Sequence, residues 1–256
     1  ELDDLIIARS DGAPTYNLTV VVDDHDMEIE CVIRGDDHIN NTPKQINLYE
    51  ALDWSIPKFA HVPMILGSDG SRLSKRHGAL NLLSYRDDGF LPKALLNYIV
   101  RLGWSHGDQE IFSINDMIKL FELKNINNSP ASFNQEKLEW INQSYIKTTG
   151  IEELVDNLRW HLNQLSIDLA NGPDINEVVE SLRERSKSLV DMAQSCVMFY
   201  SDFTDFESGQ ASKVFSLESK LILDDLYMQL KALEHWNAEN IHSIINNICE
   251  IQGVGF

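Results

Sequence analysis

Apolar and polar positions change their rhythm about a quarter of the way along the chain. Up to residue 66 the apolar residues come in short continuous runs; beyond it they recur every three or four positions. Leu5-Ile6-Ile7-Ala8-Arg9 is one such run, closed by the turn Ser10-Asp11-Gly12. Tyr16 to Val22 is β-branched and apolar until Asp23-Asp24 breaks it, and Ile29 to Ile33 repeats the pattern. The last two read as strands of a buried type. A helix is predicted over Lys44 to Leu52, with Thr42 as its cap and Pro43 at its first position, where the missing N–H goes unnoticed. Ile46, Leu48 and Leu52 are expected on its inward side. Phe59 to Leu66 reads as another extended segment. Strand, strand, helix, strand predicts part of a parallel α/β sheet.

Past Leu66 the period is helical. Pro92 opens Ala94 to Leu102, which Gly103 closes. Ser113 and Asp116 have the spacing of a capping box for Met117 to Phe121. Long amphipathic stretches follow at 151–165, 176–203, 217–236 and 238–251, separated by turns such as Asn171-Gly172-Pro173-Asp174. The second half is therefore expected to be a helical bundle.

Composition narrows the chemistry. A net charge of −19 disfavours diffuse attraction to a phosphate backbone or an anionic membrane, though one basic loop can act against that background. Cys31, Cys196 and Cys249 are odd in number and far apart, which removes a disulfide framework and any C-x-x-C zinc pair and fits a reducing, cytoplasmic setting. No apolar run approaches the ~18–20 residues that span a bilayer. The acidic start lacks an initiator methionine and the last residues read like mid-loop, so a fragment cut at both ends is expected.

Chemistry concentrates at two places. Arg72-Leu73-Ser74-Lys75-Arg76 lies between glycines, and three cations with a hydroxyl on a loop suit the triphosphate of a nucleotide. A solvated basic turn explains the same residues about as well until a second feature joins them. That feature is Val32-Ile33-Arg34-Gly35-Asp36-Asp37-His38, an Arg-Gly corner between a strand and a helix, where open α/β sheets bind ligands. Arg34 there is placed to hold a carboxylate in bidentate fashion. Asp23-Asp24-His25-Asp26 and Asp36-Asp37-His38 have metal-ligand chemistry, but neighbours on a strand point to opposite faces, so no protein-bound metal is expected. Cys31 reads as a core residue, Trp54, Trp104, Trp140, Trp160 and Trp236 as packing anchors, and Arg159, Arg183, Arg185 and Lys187 as a solvated helical face.

With Tyr16 after Pro14-Thr15, the Arg34 to His38 corner and the Arg72 to Arg76 loop, the chain resembles the bacterial glutamyl-tRNA synthetases, class I aminoacyl-tRNA synthetases. Arg72 to Arg76 is similar to their KMSKS signature, and Gly103 to Asp108 and Ser132-Phe133-Asn134 resemble the domain linking catalysis to the anticodon. The HIGH signature and the acceptor-binding insertion are absent. The resemblance therefore implies the C-terminal half of a Rossmann-like catalytic domain over 1–66. A stem-contact domain would occupy 67–148 and a truncated helical anticodon-binding region 149–256.

It further implies ATP with Mg²⁺ as the substrate complex, L-glutamate and tRNA(Glu) as the other substrates, a monomer, and no activity from these residues alone. Lys75 would stabilise the transferring phosphates, with Arg72 and Arg76 beside it and Leu73 and Ser74 also against ATP. Tyr16 and Arg34 would contact glutamate, and Asp37 and His38 would lie near the adenosine, His38 standing where some relatives carry an aromatic residue. Competing readings are a metal-dependent phosphohydrolase, which leaves the basic loop unexplained, and a tRNA-binding module without charging activity. Within the resemblance, a helical second half disfavours both a tRNA-base glutamylating enzyme and a glutaminyl-tRNA synthetase with its β-barrels.

Overall fold

A computed structural model describes residues 4–67, 69–73, 81–202, 209 and 215–254. The chain divides into two compact units, 1–200 and 201–256. The first unit opens with α1 (Tyr16–Asp26), β1 (Cys31–Gly35), a 3-10 turn over Asp36–Asn41, α2 (Thr42–Ala51), β2 (Lys58–Val62) and β3 (Ile65–Leu66). It continues through α3 (Leu82–Asp87), α4 (Pro92–Gly103), α5 (Ile114–Leu120), β4 (Ala131–Ser132), α6 (Gln135–Thr148), α7 (Ile151–Gln164), α8 (Ile175–Leu182) and α9 (Leu189–Tyr200). β1 runs parallel to β2 with Arg34 opposite His61, and β3 runs parallel to β4 with Ile65 opposite Ala131. The second unit holds α10 (Leu217–Lys231) and α11 (Ala238–Gln252), capped by Ser216 and Asn237 at their amino ends.

Several local predictions give way to packing. Leu5–Arg9 contributes only an isolated bridge, Ala8 to Pro14, across a turn in which Gly12 takes φ +84°. Tyr16–Val22 is not a strand but most of α1. Its β-branched residues favour a pleat only weakly, and the helix is selected by contact with α2: Val21 is fully buried and Asn17 accepts from Gln45 Nε2 at 3.1 Å. That contact also sets the inward face of α2, which is Gln45 and Tyr49, while Leu52 lies 40% exposed. The stretch 176–203 breaks into α8 and α9, with the break at 183–188, and 217–236 ends as helix at Lys231. Trp104 is buried, whereas Trp140, with Lys137 Nζ over its ring at 4.3 Å, and Trp236 lie at the surface. Cys31 is only partly buried.

The main core joins α4, α6, α7, α8 and α9. Leu95, Tyr98 and Leu102 of α4 meet Leu138, Ile141 and Ile146 of α6, Leu154, Leu158 and Leu162 of α7, Val179 of α8, and Met192 and Cys196 of α9. Each such leucine contributes roughly 1.5–3 kcal/mol by leaving water. The capping box at Ser113 and Asp116 is present with both reciprocal bonds.

Two asparagines with no exposed surface fix the register of this core. Asn97 accepts from Phe112 N (2.7 Å) and donates to Glu110 O (2.8 Å). Asn142 accepts from Leu91 N (2.8 Å) and donates to Lys187 O (2.8 Å) and Gly89 O (3.3 Å). Leu189 N also donates to Gly89 O (2.9 Å), so the turn before α4 is tied to the break before α9. Gly89 has φ +86°, and a Cβ there would come 2.6 Å from Val190 N, so the turn requires glycine. Replacing Asn142 by alanine strands the buried Leu91 N–H and takes its donor from the Lys187 carbonyl, while Gly89 O keeps Leu189 N. The expected loss is about 2–4 kcal/mol in urea unfolding; a loss within 0.5 kcal/mol would show that water replaces the amide.

Arg183 is not on a solvated face. Its Nη2 donates to the carbonyls of Ile146, Lys147 and Thr149, closing the carboxyl end of α6, and Nη1 pairs with Glu180 at 2.8 Å.

His161 of α7 is 5% exposed, edge-on to Trp160 (4.8 Å), whose ring also carries the Arg86 guanidinium at 4.4 Å. Burial lowers the His161 pKa from its ordinary 6.5; Asp87 raises it in part and Arg86 lowers it further. The unfolded chain therefore takes up this proton first, and stability falls as pH drops below about 6.5. Denaturant midpoints at pH 7.5 and 5.5 should differ less in His161→Gln than in the wild type. Equal declines would remove the imidazole from the cause.

Candidate functional site

The two parallel strands bring the Arg-Gly corner to their carboxyl ends. There the chain leaves β1 through the 3-10 turn and enters α2, so residues 34–42 wrap one end of the ladder. Arg34 Nη2 donates to Thr42 Oγ1 at 2.8 Å, and the same oxygen lies 3.0 Å from His61 Nε2 on β2 and 3.4 Å from His38 O. The guanidinium stands over the Phe59 ring, with Cζ 5.3 Å from its centroid. Arg34 Nε is buried with no hydrogen-bond partner among the described residues. An orphaned cationic donor of this kind suits a ligand carboxylate oxygen.

Because α1 is a helix, Tyr16 occupies its first turn and reaches the 3-10 turn. Its Oη lies 3.0 Å from His38 Nδ1, and Asn41 Nδ2 donates to that nitrogen at 3.2 Å. An amide nitrogen only donates, so His38 Nδ1 accepts from Asn41 in this arrangement. Gly35 leaves room for this: a Cβ there would come 2.5 Å from Asp37 Oδ1 and push that carboxylate aside. With Asp37 folded back in this way, its Oδ2 pairs with Arg72 Nη2 at 3.2 Å. The Arg72 side chain is 66% exposed, so this pair adds little stability.

The loop starts from a hydrogen-bonded return on β3. Leu66 bridges Arg72, Leu73 N donates to Ile65 O (2.8 Å), and Gly67 N donates to Ser71 O (2.8 Å), with Gly70 at φ +74°. The sequence-predicted residues Tyr16, Arg34, Asp37, His38 and Arg72 thus gather at one end of β1, with Leu73 following on the β3 edge. Ser74, Lys75 and Arg76 lie outside the described residues. Thr42, Asn41, His61 and Phe59 belong to the same constellation. His61 follows from strand register alone, since it stands directly opposite Arg34.

Charge around the corner is graded by burial. Burial raises the Asp24 carboxyl pKa against the pull of Arg34, and raises the Tyr49 phenol, with Asp24 adding to it. Burial, then Arg34, lowers the His61 pKa and so favours its neutral imidazole. At the amino ends of the strands lies a separate cavity of about 620 Å³, lined by Asp24, His25, Glu28, Cys31, Tyr49 and Lys58 among others. Among the described residues no three His, Cys, Asp or Glu side chains are grouped to hold a metal ion, and no helix is long and apolar enough to cross a membrane.

Comparison with known proteins identifies relatives of the chain. Residues 1–140 match the family model of class I tRNA synthetases (E and Q), catalytic domain, and residues 153–256 match an anticodon binding domain. The chain is 59% identical over all 256 residues to a glutamate–tRNA ligase of Ruthia magnifica, and 58% to one of Vesicomyosocius okutanii. It covers 56% of each of them, so it spans about half the length of the curated relatives it matches. Among solved structures, a glutamate tRNA ligase from Elizabethkingia meningosepticum in complex with its amino acid superposes with a TM-score of 0.85 at 30% identity. A glutamate–tRNA synthetase from Elizabethkingia anophelis gives 0.79 at 29%. These two matches cover 99% of this chain and 54% of each of those proteins.

Proposed function

From the premise that this chain belongs to the class I tRNA synthetases of the E and Q type, we propose that its residues serve in attaching glutamate to tRNA(Glu). The carrying observation is Arg34, fixed by Thr42 and Phe59 with a buried unpartnered Nε, facing the Tyr16–His38 pair and the Asp37–Arg72 contact.

Glutamate binds with a carboxylate on Arg34 and with Tyr16 beside it. A glutamate α-carboxylate oxygen attacks the α-phosphorus of Mg²⁺-bound ATP; the bond to the bridging oxygen breaks and pyrophosphate leaves, giving glutamyl-adenylate. A ribose hydroxyl of the tRNA's terminal adenosine then attacks the glutamyl carbonyl, and AMP departs. Lys75, with Arg72 and Arg76, follows the charge that grows on the leaving phosphates; Leu73, Ser74, Asp37 and His38 lie along the nucleotide. Such a clamp acts through position and electrostatics and needs no protein nucleophile.

The roles divide at 66/67 and 148/149: half of the nucleotide fold, a stem-contact part, and an anticodon-binding part. The second division falls in the gap between the two family matches. We place the whole protein in the cytoplasm, as a monomer, with these residues inactive on their own. ATP-dependent charging of tRNA(Glu) with radiolabelled glutamate by the full-length protein tests the reading; no label on the tRNA would overturn it.

A further inference from the structure

The Arg34 guanidinium is held from one side by a single hydroxyl with three partners. Arginine only donates, so Thr42 Oγ1 must accept from Nη2 at 2.8 Å. The one hydroxyl proton then goes to His61 Nε2, 3.0 Å away, or to His38 O, 3.4 Å away. In the first case Nε2 is the acceptor; in the second it turns donor to the remaining lone pair. In both cases the oxygen accepts from Arg34 and bonds His61, so it cannot rotate away without breaking a bond. Thr42 stands at the first turn of α2, and His61 sits opposite Arg34 in the ladder, so two separate elements fix the hydroxyl. Phe59, on the same strand as His61, backs the guanidinium plane.

We propose that Thr42, braced by His61, is the positioning residue that aims the Arg34 guanidinium at the substrate carboxylate and thereby sets glutamate affinity without touching the reacting atoms. The inference rests on the glutamate reading of the site. Long cationic side chains have many rotamers, and a bidentate contact needs one of them held in place. Removing the hydroxyl should therefore weaken binding of the carboxylate while the nucleotide chemistry proceeds.

The test is glutamate and ATP titration of tRNA charging by the full-length protein. Thr42→Val keeps the branched shape and removes the oxygen. Its KM for glutamate should rise roughly tenfold, as for the loss of one hydrogen bond to a charged group, with kcat and the KM for ATP nearly unchanged. Thr42→Ser, which keeps the oxygen, should restore the glutamate KM to near the wild-type value. If Thr42→Val lowers the melting temperature, His61→Leu carries the same test, because it removes the brace from a residue outside α2. A wild type that does not charge glutamate overturns the reading of the site and this inference with it. A wild type that charges glutamate, with Thr42→Val or His61→Leu at the normal glutamate KM, overturns the inference alone, as does a serine variant no better than valine.

Discussion

Lys75→Ala in the full-length protein should slow glutamyl-adenylate formation about 10²- to 10³-fold while tRNA binding stays near the wild-type level. Removing one preorganised charge contact that strengthens in the transition state has an effect of that size. The loop that bears Lys75 grows from the β3 edge, where Leu73 N is bonded to Ile65 O and Arg72 leans on Asp37, so its root is set by the same corner that holds Arg34. Lysine, a compact charge on a flexible stem, suits an oxygen that gains charge as the reaction proceeds. Rapid-quench measurement of adenylate under single-turnover conditions reads the step directly, and filter binding reads the tRNA. An unchanged rate of adenylate formation would take the loop out of the mechanism.

Arg34→Ala is expected to act on a different constant. It removes a cationic donor pair from a half-buried corner. Hydrogen bonds to charged groups contribute about 1.5–3 kcal/mol, so the glutamate KM should rise roughly 10- to 150-fold. Arg34→Lys should recover little, because an ammonium has neither the planar fork nor the face that stacks on Phe59. Saturation curves in glutamate at fixed ATP check this. A KM near the wild-type value in the alanine variant would refute the carboxylate role.

What the sequence disclosed was what local chemistry decides. Pro92 at a helix start, the Ser113–Asp116 box and the Arg-Gly corner can each be read from neighbouring residues, and each is in place. Helix α1 was illegible for the converse reason. Val20, Val21 and Val22 favour a pleat, and only the side chains of α2, twenty-odd residues away, make the helix the better choice. The inward face of α2 was hidden likewise, because its buried positions are a glutamine and a tyrosine rather than the aliphatics. Asn97 and Asn142 look like surface residues until their partners 13 to 53 residues away are known. In the site, Arg34 could be singled out by its motif, but His61 and Thr42 join it through register and a helix start that pattern reading does not resolve.

The knot of hydrogen bonds around Gly89 and Asn142 also constrains how such a chain can be inherited. A genetic crossover in the short α6–α7 loop, at 149–150, would take Gly89 and Asn142 from one parent and Lys187, Leu189 and Val190 from the other. A hybrid whose donor carries any side chain at 89, or a different backbone path at 187–190, meets a steric block before it meets any question of catalysis. Viable exchange between diverged lineages should therefore take 89–190 from one parent.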